Sequence, residues 1–333
     1  MDTSLIISTI VSCTIAFALV YIITPPLMRW LNHKKIQVPD AHVPGNIMVA
    51  RPGGPAIVAG IVTGCIVLYV FLQQEWILAV AITTLAAFAV GLIDDLKRLG
   101  GWFKPLALAA SATPLIIFGS YGPDLTVPLF GTIHIPILYS GVAILGVVLM
   151  GNTINSIDIF SGLASAFVAI ASAALMISLL ILGNYEVAAA SAILTVSSIA
   201  YYRFHRIPCK IFPGDSGALA LGVSYGSIAI SGGVEIVAVI AMLPAVINSF
   251  LFLSGTKRIM EYKDVKKKST ALTDDFKMIA TFEKGAVPSL VSIILARGKP
   301  MSETQLVRVI LGLAVISACM AITTAVMMLV KAL

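Results

Sequence analysis

Charged residues are scarce in this 333-residue chain: they make up 11% of it, against about 25% in an ordinary soluble domain. Hydrophobic residues make up 59%, and the mean hydropathy is +1.00. This composition excludes a water-soluble globular fold, and the many long apolar runs favour membrane helices over a β-barrel. The sequence therefore predicts an all-α integral membrane protein.

Cysteine and histidine are also sparse, and neither shows the spacing of a metal or redox motif. The four cysteines lie far apart, at Cys13, Cys65, Cys209 and Cys319, and are interpreted as reduced packing residues. The four histidines show no ligand spacing, so none of them is assigned to chemistry. Internal repeats and low-complexity segments are absent as well.

Ten apolar runs predict about ten transmembrane helices in a single polytopic domain, residues 1–333. Several runs are shorter than the roughly 20 residues that a spanning helix needs, so loop residues or helix tilt must supply the remaining length. The predicted spans are 4–28, 55–72, 76–93, 105–119, 137–150, 162–182, 186–202, 216–231, 235–254 and 306–330. The segment 120–136, with its Gly, Pro and short apolar stretches, predicts an external hairpin or a re-entrant piece.

Lysine and arginine are divided very unequally between the two sides of this topology. The loops after the odd-numbered spans, together with Arg308, hold 21 of the 22, and only Lys331 lies on the other side. The positive-inside rule makes the odd-numbered loops cytoplasmic and both termini external. The net charge of +6 thus reflects topology and not nucleic-acid binding. The longest cytoplasmic loop, 255–305, is strongly basic and should attract anionic membrane lipids.

Carboxylates lie at the cytoplasmic ends of the predicted spans, so we expect the active site on the cytoplasmic face. Asp94 and Asp95 end the third span, where adjacent carboxylates need a cation or a basic group to compensate them. Asp215 follows Gly214 at the start of an apolar helix that Ser216 could cap. Carboxylates placed in this way suit a divalent cation or a general base.

Asn152, Asn155 and Asp158 form a second polar group after the fifth span. Asn152 and Asn155 lie one helical turn apart, on one face if the helix continues that far. Their amide oxygens suit Mg²⁺ or sugar hydroxyls, and helix capping is the plainer alternative.

The last loop could also cover an anionic substrate, with a few cations clamping its phosphates. The cations nearest the membrane ends of that loop are Lys257, Arg258, Arg297 and Lys299. The Pro- and Gly-rich loop 29–55 is expected to be ordered and to pack against the other motifs.

Three motifs, taken in order, resemble the polyprenyl-phosphate N-acetylhexosamine-1-phosphate transferases. They are Gly-Leu-Ile-Asp94-Asp95 with Lys104 nine residues on, Asn152-x-x-Asn155, and Phe212-x-Gly214-Asp215-x-Gly-x-x-x-Leu-Gly222. That family includes the dolichol-pathway GlcNAc-1-phosphate transferase, its archaeal relatives and the bacterial enzymes that start peptidoglycan and O-antigen lipid intermediates. The resemblance covers nearly the whole chain, including ten helices with both ends outside.

The resemblance implies a phosphotransferase that moves a sugar-1-phosphate, GlcNAc-1-phosphate, from a UDP-sugar donor to a polyprenyl or dolichyl phosphate acceptor and releases UMP. It implies a Mg²⁺ cofactor, with Mn²⁺ as the alternative ion, held by Asp215 and Asn155. Asp94 and Asp95 would lie at the acceptor phosphate and the metal. Lys104 would contact phosphate.

The resemblance also implies substrate contacts. Phe212 would pack on the uracil, Gly214 would let the nucleotide approach the backbone, and Asn152 and Asp158 would lie in the binding site. Two features depart from the family pattern. Ser161 stands where the family usually has Asp or Asn near the uracil. The last loop lacks both the His-rich motif of the bacterial enzymes and the Arg-His-Arg motif of the dolichol enzyme, so sugar-recognising residues do not transfer.

Two rival functions fit the sequence less well. A transporter or channel would carry ionisable residues at mid-span, usually with repeats, whereas the span centres here are nearly free of charge. Another Mg²⁺-dependent membrane phosphotransferase, of the CDP-alcohol type, would show an Asp-Gly-x-x-Ala-Arg signature, which is absent. The expected location is the plasma membrane, and a homodimer is compatible with the sequence.

Overall fold

The fold is built from helices joined by short connections and three small hairpins. A computed structural model describes all residues except 1–2, 46, 98, 101, 129–130, 257–264, 266, 282 and 333, and it describes no side chains at 331–332. The helices are α1 (Thr3–His33), α2 (Gly54–Leu72), α3 (Glu75–Leu96), α4 (Phe103–Ser111), α5 (Thr113–Ile117), α6 (Pro136–Ile157), α7 (Leu163–Ile181), α8 (Tyr185–His205), α9 (Gly214–Ser231), α10 (Glu235–Ala241), α11 (Leu243–Thr256), α12 (Leu290–Leu295) and α13 (Glu303–Ala332). The strands pair as antiparallel hairpins: β1 (Gln37–Pro39) with β2 (Met48–Ala50), β3 (Asp124–Val127) with β4 (Gly131–His134), and β5 (Thr270–Leu272) with β6 (Met278–Ala280).

Helix α9 is the central helix, and its sequence explains why. Eight of its 18 residues are Gly or Ser, and almost all of the helix is buried. Helices α2, α3, α6, α7, α8 and α10 pack around it. Small residues let helix backbones approach closely in a membrane, where lipid gives little hydrophobic drive for helices to associate. A buried hydrogen bond of 2.9 Å between the hydroxyls of Thr84 in α3 and Ser224 adds to this packing.

Seven of the described helices are long and apolar enough to cross a membrane: α1, α2, α3, α6, α7, α8 and α13. The bent pair α10 and α11 makes an eighth if it is counted as one span. Each of the ten predicted spans coincides with one helix or one pair of helices. The α-helical membrane class is thus confirmed. Helix α9 falls outside the seven because its many Gly and Ser residues and Asp215 lower its mean hydropathy.

Two spans predicted as single helices are broken, and each break precedes a proline. The span 235–254 bends by 80° between α10 and α11, and Pro244 is the second residue of α11. The span 105–119 is divided between α4 and α5 at Ala112, and Pro114 is the second residue of α5. Proline has no backbone N–H and clashes with the preceding turn, so it starts a helix more readily than it continues one.

The structure confirms the hairpin predicted within 120–136 and the ordered loop predicted at 29–55, whereas the external side of the hairpin stays a prediction. The segment 120–136 forms the hairpin β3–β4, in which Leu125 lies opposite Ile133. The loop 29–55 contains β1–β2 and packs against the start of α9. The N–H of Phe212 donates to the carbonyl of Ala50 at 2.9 Å.

The loop 255–305 holds more regular structure than its basic composition suggested. Its described part contains the hairpin β5–β6 and the short helix α12. The hydroxyl of Ser289 caps α12 by accepting a hydrogen bond from the N–H of Ser292 at 3.1 Å. A bridge between Met278 and Met301 ties β6 to the segment just before α13.

Candidate active site

Four separate parts of the chain bring charged side chains to one place. Asp94 and Asp95 lie in the last turn of α3, Lys104 in the first turn of α4, and Asp215 in the first turn of α9. Arg51 follows β2 directly. Ion pairs between these side chains join all four segments. The structure therefore brings together the two aspartate motifs and the lysine that the sequence singled out.

Asp95 caps the N-terminus of α9 from the neighbouring helix. Its carboxylate accepts hydrogen bonds from the backbone N–H groups of Asp215, at 3.0 Å, and Ser216, at 2.9 Å. These donors belong to the first turn of α9, where backbone N–H groups have no partner within the helix. The prediction that Ser216 caps this helix is wrong, because it lies inside the first turn. Its hydroxyl is buried and has no hydrogen-bond partner in the described part of the chain.

Two glycines allow α3 and α9 to meet this closely. A Cβ at Gly91 would lie 2.5 Å from the Cα of Ser216, which is too close for any other residue type. Gly214 has a φ of +72°, and a Cβ there would lie 2.7 Å from Oδ2 of Asp95. Close contact between protein segments thus accounts for both glycines. The approach of a nucleotide to Gly214 stays a prediction.

Asp94 and Asp215 share the buried ammonium group of Lys104. Lys104 Nζ lies 2.6 Å from Asp94 Oδ2 and 3.4 Å from Asp215 Oδ1. Asp94 Oδ1 also accepts a hydrogen bond of 2.8 Å from the N–H of Leu99. Only 7% of the Lys104 side chain and 1% of the Asp94 side chain are exposed. Water cannot readily replace a partner here, so each charge depends on the other.

Arg51 is the site residue that the sequence did not single out. Its Nη2 lies 3.0 Å from Asp95 Oδ1 and 3.3 Å from Asp215 Oδ2. Burial disfavours the charged guanidinium, but the carboxylates of Asp215, Asp95 and Asp158 outweigh burial and raise the pKa of Arg51 above its usual value. The only signal in the sequence was the loop that carries Arg51, which was expected to pack against the other motifs.

Asp158 lies beside this cluster without a close ion pair. It follows the last residue of α6, and its Oδ1 lies 3.8 Å from Nε2 of His205. Burial raises the pKa of Asp158 to about 7; Arg51 opposes this shift, and Asp215 and Asp95 add to it. Asp158 therefore changes charge near neutral pH, unlike an ordinary surface aspartate.

Phe212 lies half-buried at the start of the α9 motif. Its ring packs edge-on against the ring of His205, with 6.1 Å between centroids. His205 is in turn held by Ser165, whose hydroxyl lies 2.9 Å from Nδ1. This pair fixes one side of Phe212. The packing of Phe212 on uracil stays a prediction.

The two asparagines of the second motif differ in what holds them. Asn152 donates to the carbonyl of Val148 in its own helix, at 2.9 Å. Asn155 is half-buried in the last turn of α6, and its amide makes no hydrogen bond with any described residue. The amide oxygens of both asparagines accept no hydrogen bond from any described residue, so both are available to a ligand.

The two candidate clamp cations that the structure describes in the last loop do not join the cluster. Arg297 and Lys299 are exposed on the turn after α12, and neither forms an ion pair with a described residue. Lys257 and Arg258 lie outside the described residues. A phosphate clamp at Arg297 and Lys299 stays a prediction.

The donor set of the cluster suits a hard divalent cation. The three carboxylates of Asp94, Asp95 and Asp215 share two cationic side chains, so the cluster carries net negative charge. Carboxylate and amide oxygens are the ligands that Mg²⁺ and Mn²⁺ prefer. The carboxylates present therefore fit such an ion, and its coordination by Asp215 and Asn155 stays a prediction.

A second group of metal-ligating side chains was missed by the sequence analysis. Single ligand atoms of Asp40, His42 and Glu303 all lie within 4.8 Å of one another. Glu303 Oε1 also accepts a hydrogen bond of 2.7 Å from the N–H of Ser161. Glu303 begins α13, far from His42 in the chain, so spacing alone gave no signal for this group.

Comparison with known proteins shows what this chain is similar to. Residues 77–233 match the family described as Glycosyl transferase family 4. This stretch, just under half of the 333-residue chain, is similar to that family. The matched stretch contains Asp94, Asp95, Lys104 and Asp215, whereas Arg51 lies before it. The resemblance that the three motifs carried is thereby confirmed.

Named relatives agree with this assignment. A candidate UDP-N-acetylglucosamine–dolichyl-phosphate N-acetylglucosaminephosphotransferase of Saccharolobus solfataricus is 25% identical over 324 residues, which is 95% of this chain and 97% of the relative. A phospho-N-acetylmuramoyl-pentapeptide-transferase of Thermodesulfovibrio yellowstonii is 28% identical over 69% of this chain and 73% of its own. A candidate undecaprenyl-phosphate N-acetylglucosaminyl 1-phosphate transferase of Bacillus subtilis is 26% identical over 67% of this chain and 63% of its own length.

Proposed function

We propose that this protein transfers N-acetylglucosamine-1-phosphate from UDP-N-acetylglucosamine to a polyprenyl or dolichyl phosphate, giving a lipid-pyrophosphate-sugar and UMP. The observation that carries this proposal is the cluster of Asp94, Asp95, Asp215, Lys104 and Arg51, because it places carboxylates and cations together at helix ends. The names of the Saccharolobus and Bacillus relatives favour N-acetylglucosamine as the sugar.

In the proposed reaction, an oxygen of the lipid phosphate attacks the phosphorus that bears the sugar, and the bond from that phosphorus to UMP breaks. Lys104 and Arg51 would each release a carboxylate and hold phosphate oxygens as negative charge shifts to UMP. A phosphate monoester has its second pKa at about 6, so the acceptor is already largely ionised and needs no strong base. Asp94 would orient the acceptor through Lys104, while Asp95 keeps Asp215 in place.

A divalent ion on Asp215 and Asn155 would supply charge neutralisation for the pyrophosphate and the leaving UMP. Mg²⁺ is the proposed ion and Mn²⁺ its substitute. Phe212 and Asp158 would contact the nucleotide, with Gly214 and Asn152 beside them. Positioning and charge neutralisation are the main requirements of phosphoryl transfer, and a rigid set of helix ends meets them.

We further infer that all ten helical segments cross or enter the membrane as one domain. The charge division of 21 to 1 supports external termini and a cytoplasmic active site in the plasma membrane. A lipid acceptor and a soluble nucleotide sugar can meet at such a boundary. The homodimer stays a prediction.

The decisive experiment uses the purified full chain in lipid nanodiscs, with Mg²⁺, a polyprenyl phosphate and a panel of UDP-sugars. We expect UMP release that requires both the lipid phosphate and UDP-N-acetylglucosamine, and a lipid product heavier by one N-acetylhexosamine phosphate. Lys104→Met should lose this activity, while Asp124→Asn, on the exposed hairpin β3–β4, should keep it. Absence of product with every sugar and prenyl length would overturn the proposal, as would UDP-sugar flux into sealed proteoliposomes that lack an acceptor lipid.

A further inference from the structure

Three ligand-type side chains from distant parts of the chain converge away from the charged cluster. Asp40 and His42 lie in the turn of the β1–β2 hairpin, and Glu303 is the first residue of α13. One ligand atom from each lies within 4.8 Å of the others. Asp40 and Glu303 are 5% and 7% exposed, and His42 is half-buried.

The two buried carboxylates lack a cationic side chain. No Lys or Arg of the described residues lies within ion-pair distance of Asp40 or Glu303. Each carboxylate has one oxygen committed to a backbone N–H, from His42 at 3.1 Å and from Ser161 at 2.7 Å. The second oxygen of each accepts no hydrogen bond from any described residue. Two buried and unpaired carboxylates are costly unless a cation joins them.

The imidazole of His42 is also uncommitted. Its ring rests on Phe160 at a centroid distance of 5.1 Å, and no described residue hydrogen-bonds to its ring nitrogens. A ring nitrogen and two carboxylate oxygens are thus directed to one place. This ligand set is typical of zinc and its neighbours, since imidazole binds these ions and adds little for Mg²⁺.

We propose that Asp40, His42 and Glu303 bind a divalent transition-metal ion of the Zn²⁺ class, at a site separate from the charged cluster. Zinc bonds to nitrogen and oxygen measure about 2.0–2.2 Å, so ligands of one ion lie about 3.5 Å apart. Shifts of about 1 Å in the side chains close the group onto an ion. Water completes the coordination.

The site joins three segments that border the charged cluster. The ion ties the β1–β2 hairpin to the start of α13, and Glu303 holds the N–H of Ser161 in the segment after α6. Strand β2 ends at Ala50, next to Arg51. The ion therefore fastens the loop that carries Arg51 and acts as a structural element, not as part of the transfer reaction.

The test measures metal binding on the purified full chain in detergent. After removal of metals with a chelator, Co²⁺ is added as a spectroscopic substitute for Zn²⁺. In excess Mg²⁺, which suits the charged cluster, we expect a visible absorption band with a stoichiometry of about one Co²⁺ per chain, which excess Zn²⁺ abolishes. His42→Gln should lose the band, and Asp215→Asn, which alters only the charged cluster, should retain it. His33→Gln, an exposed histidine at the end of α1, serves as the matched control.

A second variant keeps the proposal testable if His42→Gln fails to fold. His42→Cys retains a zinc ligand, and its thiolate should add a near-ultraviolet charge-transfer band to the Co²⁺ spectrum. Zn²⁺ should also slow proteolysis of the β1–β2 loop in the wild type and not in Glu303→Gln. Lack of a Co²⁺ band in the wild type, an unchanged band in His42→Gln, or loss of the band in Asp215→Asn would each overturn the proposal.

Discussion

Asp95 offers the sharpest test of the site, because the structure gives it a role that its position in α3 does not suggest. Its carboxylate accepts three hydrogen bonds, from the N–H groups of Asp215 and Ser216 and from Arg51, at 2.9–3.0 Å. Asp95→Asn keeps the shape of the side chain and removes its charge. The amide oxygen can serve one backbone N–H, while the amide NH₂ is turned toward another donor.

The size of the effect follows from these contacts. One buried N–H left without an acceptor costs about 1–3 kcal/mol. The remaining bonds change from charged to neutral, and the favourable interaction of a carboxylate with the start of α9 is lost, which adds about 0.5–1 kcal/mol. Only 4% of the Asp95 side chain is exposed, so water does not compensate. We expect a local destabilisation of about 3 kcal/mol.

Two measurements should detect this local destabilisation. Thermal unfolding in detergent should show a midpoint lower by about 3–8 °C. Displacement of Asp215 should lower kcat for UMP release by roughly 10- to 100-fold, because small shifts of a positioned group are costly in catalysis. Both effects should appear together, since both arise from the first turn of α9.

The matched control is Asp124→Asn. Asp124 pairs with His134 on the hairpin β3–β4, where its side chain is 50% exposed, and its replacement should change neither measurement. If Asp95→Asn kept both the wild-type midpoint and the wild-type kcat, the capping role would be refuted. A fall in kcat without any loss of thermal stability would also refute it, and would indicate that Asp95 acts on substrate directly.

Three further predictions concern the same chain. Arg51→Ala should lower kcat about tenfold and also lower the Mg²⁺ concentration for half-maximal rate, because it removes a cation that competes for Asp215. Arg51→Lys, the control, should keep a Mg²⁺ requirement near that of the wild type. An unchanged Mg²⁺ requirement in Arg51→Ala would contradict this prediction. Wild-type kcat/KM should fall as the pH drops below about 7, since Asp158 then gains a proton. Asp158→Asn should be slow at every pH and keep only the fall near about pH 6 that protonation of the acceptor phosphate causes. In a background without native cysteines, Gly122→Cys should react with an impermeant thiol reagent from outside the cell and Asp275→Cys only from the cytoplasm; labelling of both from one side would reject the topology.

Much of the fold could be predicted from the sequence because hydropathy reports directly on membrane burial. All ten apolar runs are helical, and the hairpin at 120–136 was recognised from its Gly and Pro content. The breaks before Pro114 and Pro244 were missed, because proline inside an apolar run is compatible with either a kink or a new helix. The continuous α1, with Pro25 and Pro26 inside it, shows that proline alone does not decide.

Site residues could be predicted from the sequence only where a charged residue stands in an apolar context that does not favour it. Two aspartates at the end of an apolar helix demand compensation, and this pointed to Asp94 and Asp95. Arg51 gave no such signal, since an arginine in a basic loop is ordinary. Its role depends on the contact between β2 and the segment before α9, a pairing of distant residues that one sequence does not reveal.

In the proposed reaction, the cluster couples the binding of a phosphate to the binding of a divalent ion. Asp215 is balanced by Arg51 on one oxygen and by Lys104 on the other. A phosphate that takes over either cation leaves the carboxylate uncompensated, and a divalent ion that takes over Asp215 frees the cations for phosphate. Each ligand therefore makes room for the other, so by linkage each should raise the other's affinity by the same factor. Arg51→Ala removes one of the two cations that compete with Mg²⁺ for Asp215. The change in its Mg²⁺ requirement therefore measures how strongly Arg51 opposes Mg²⁺ binding.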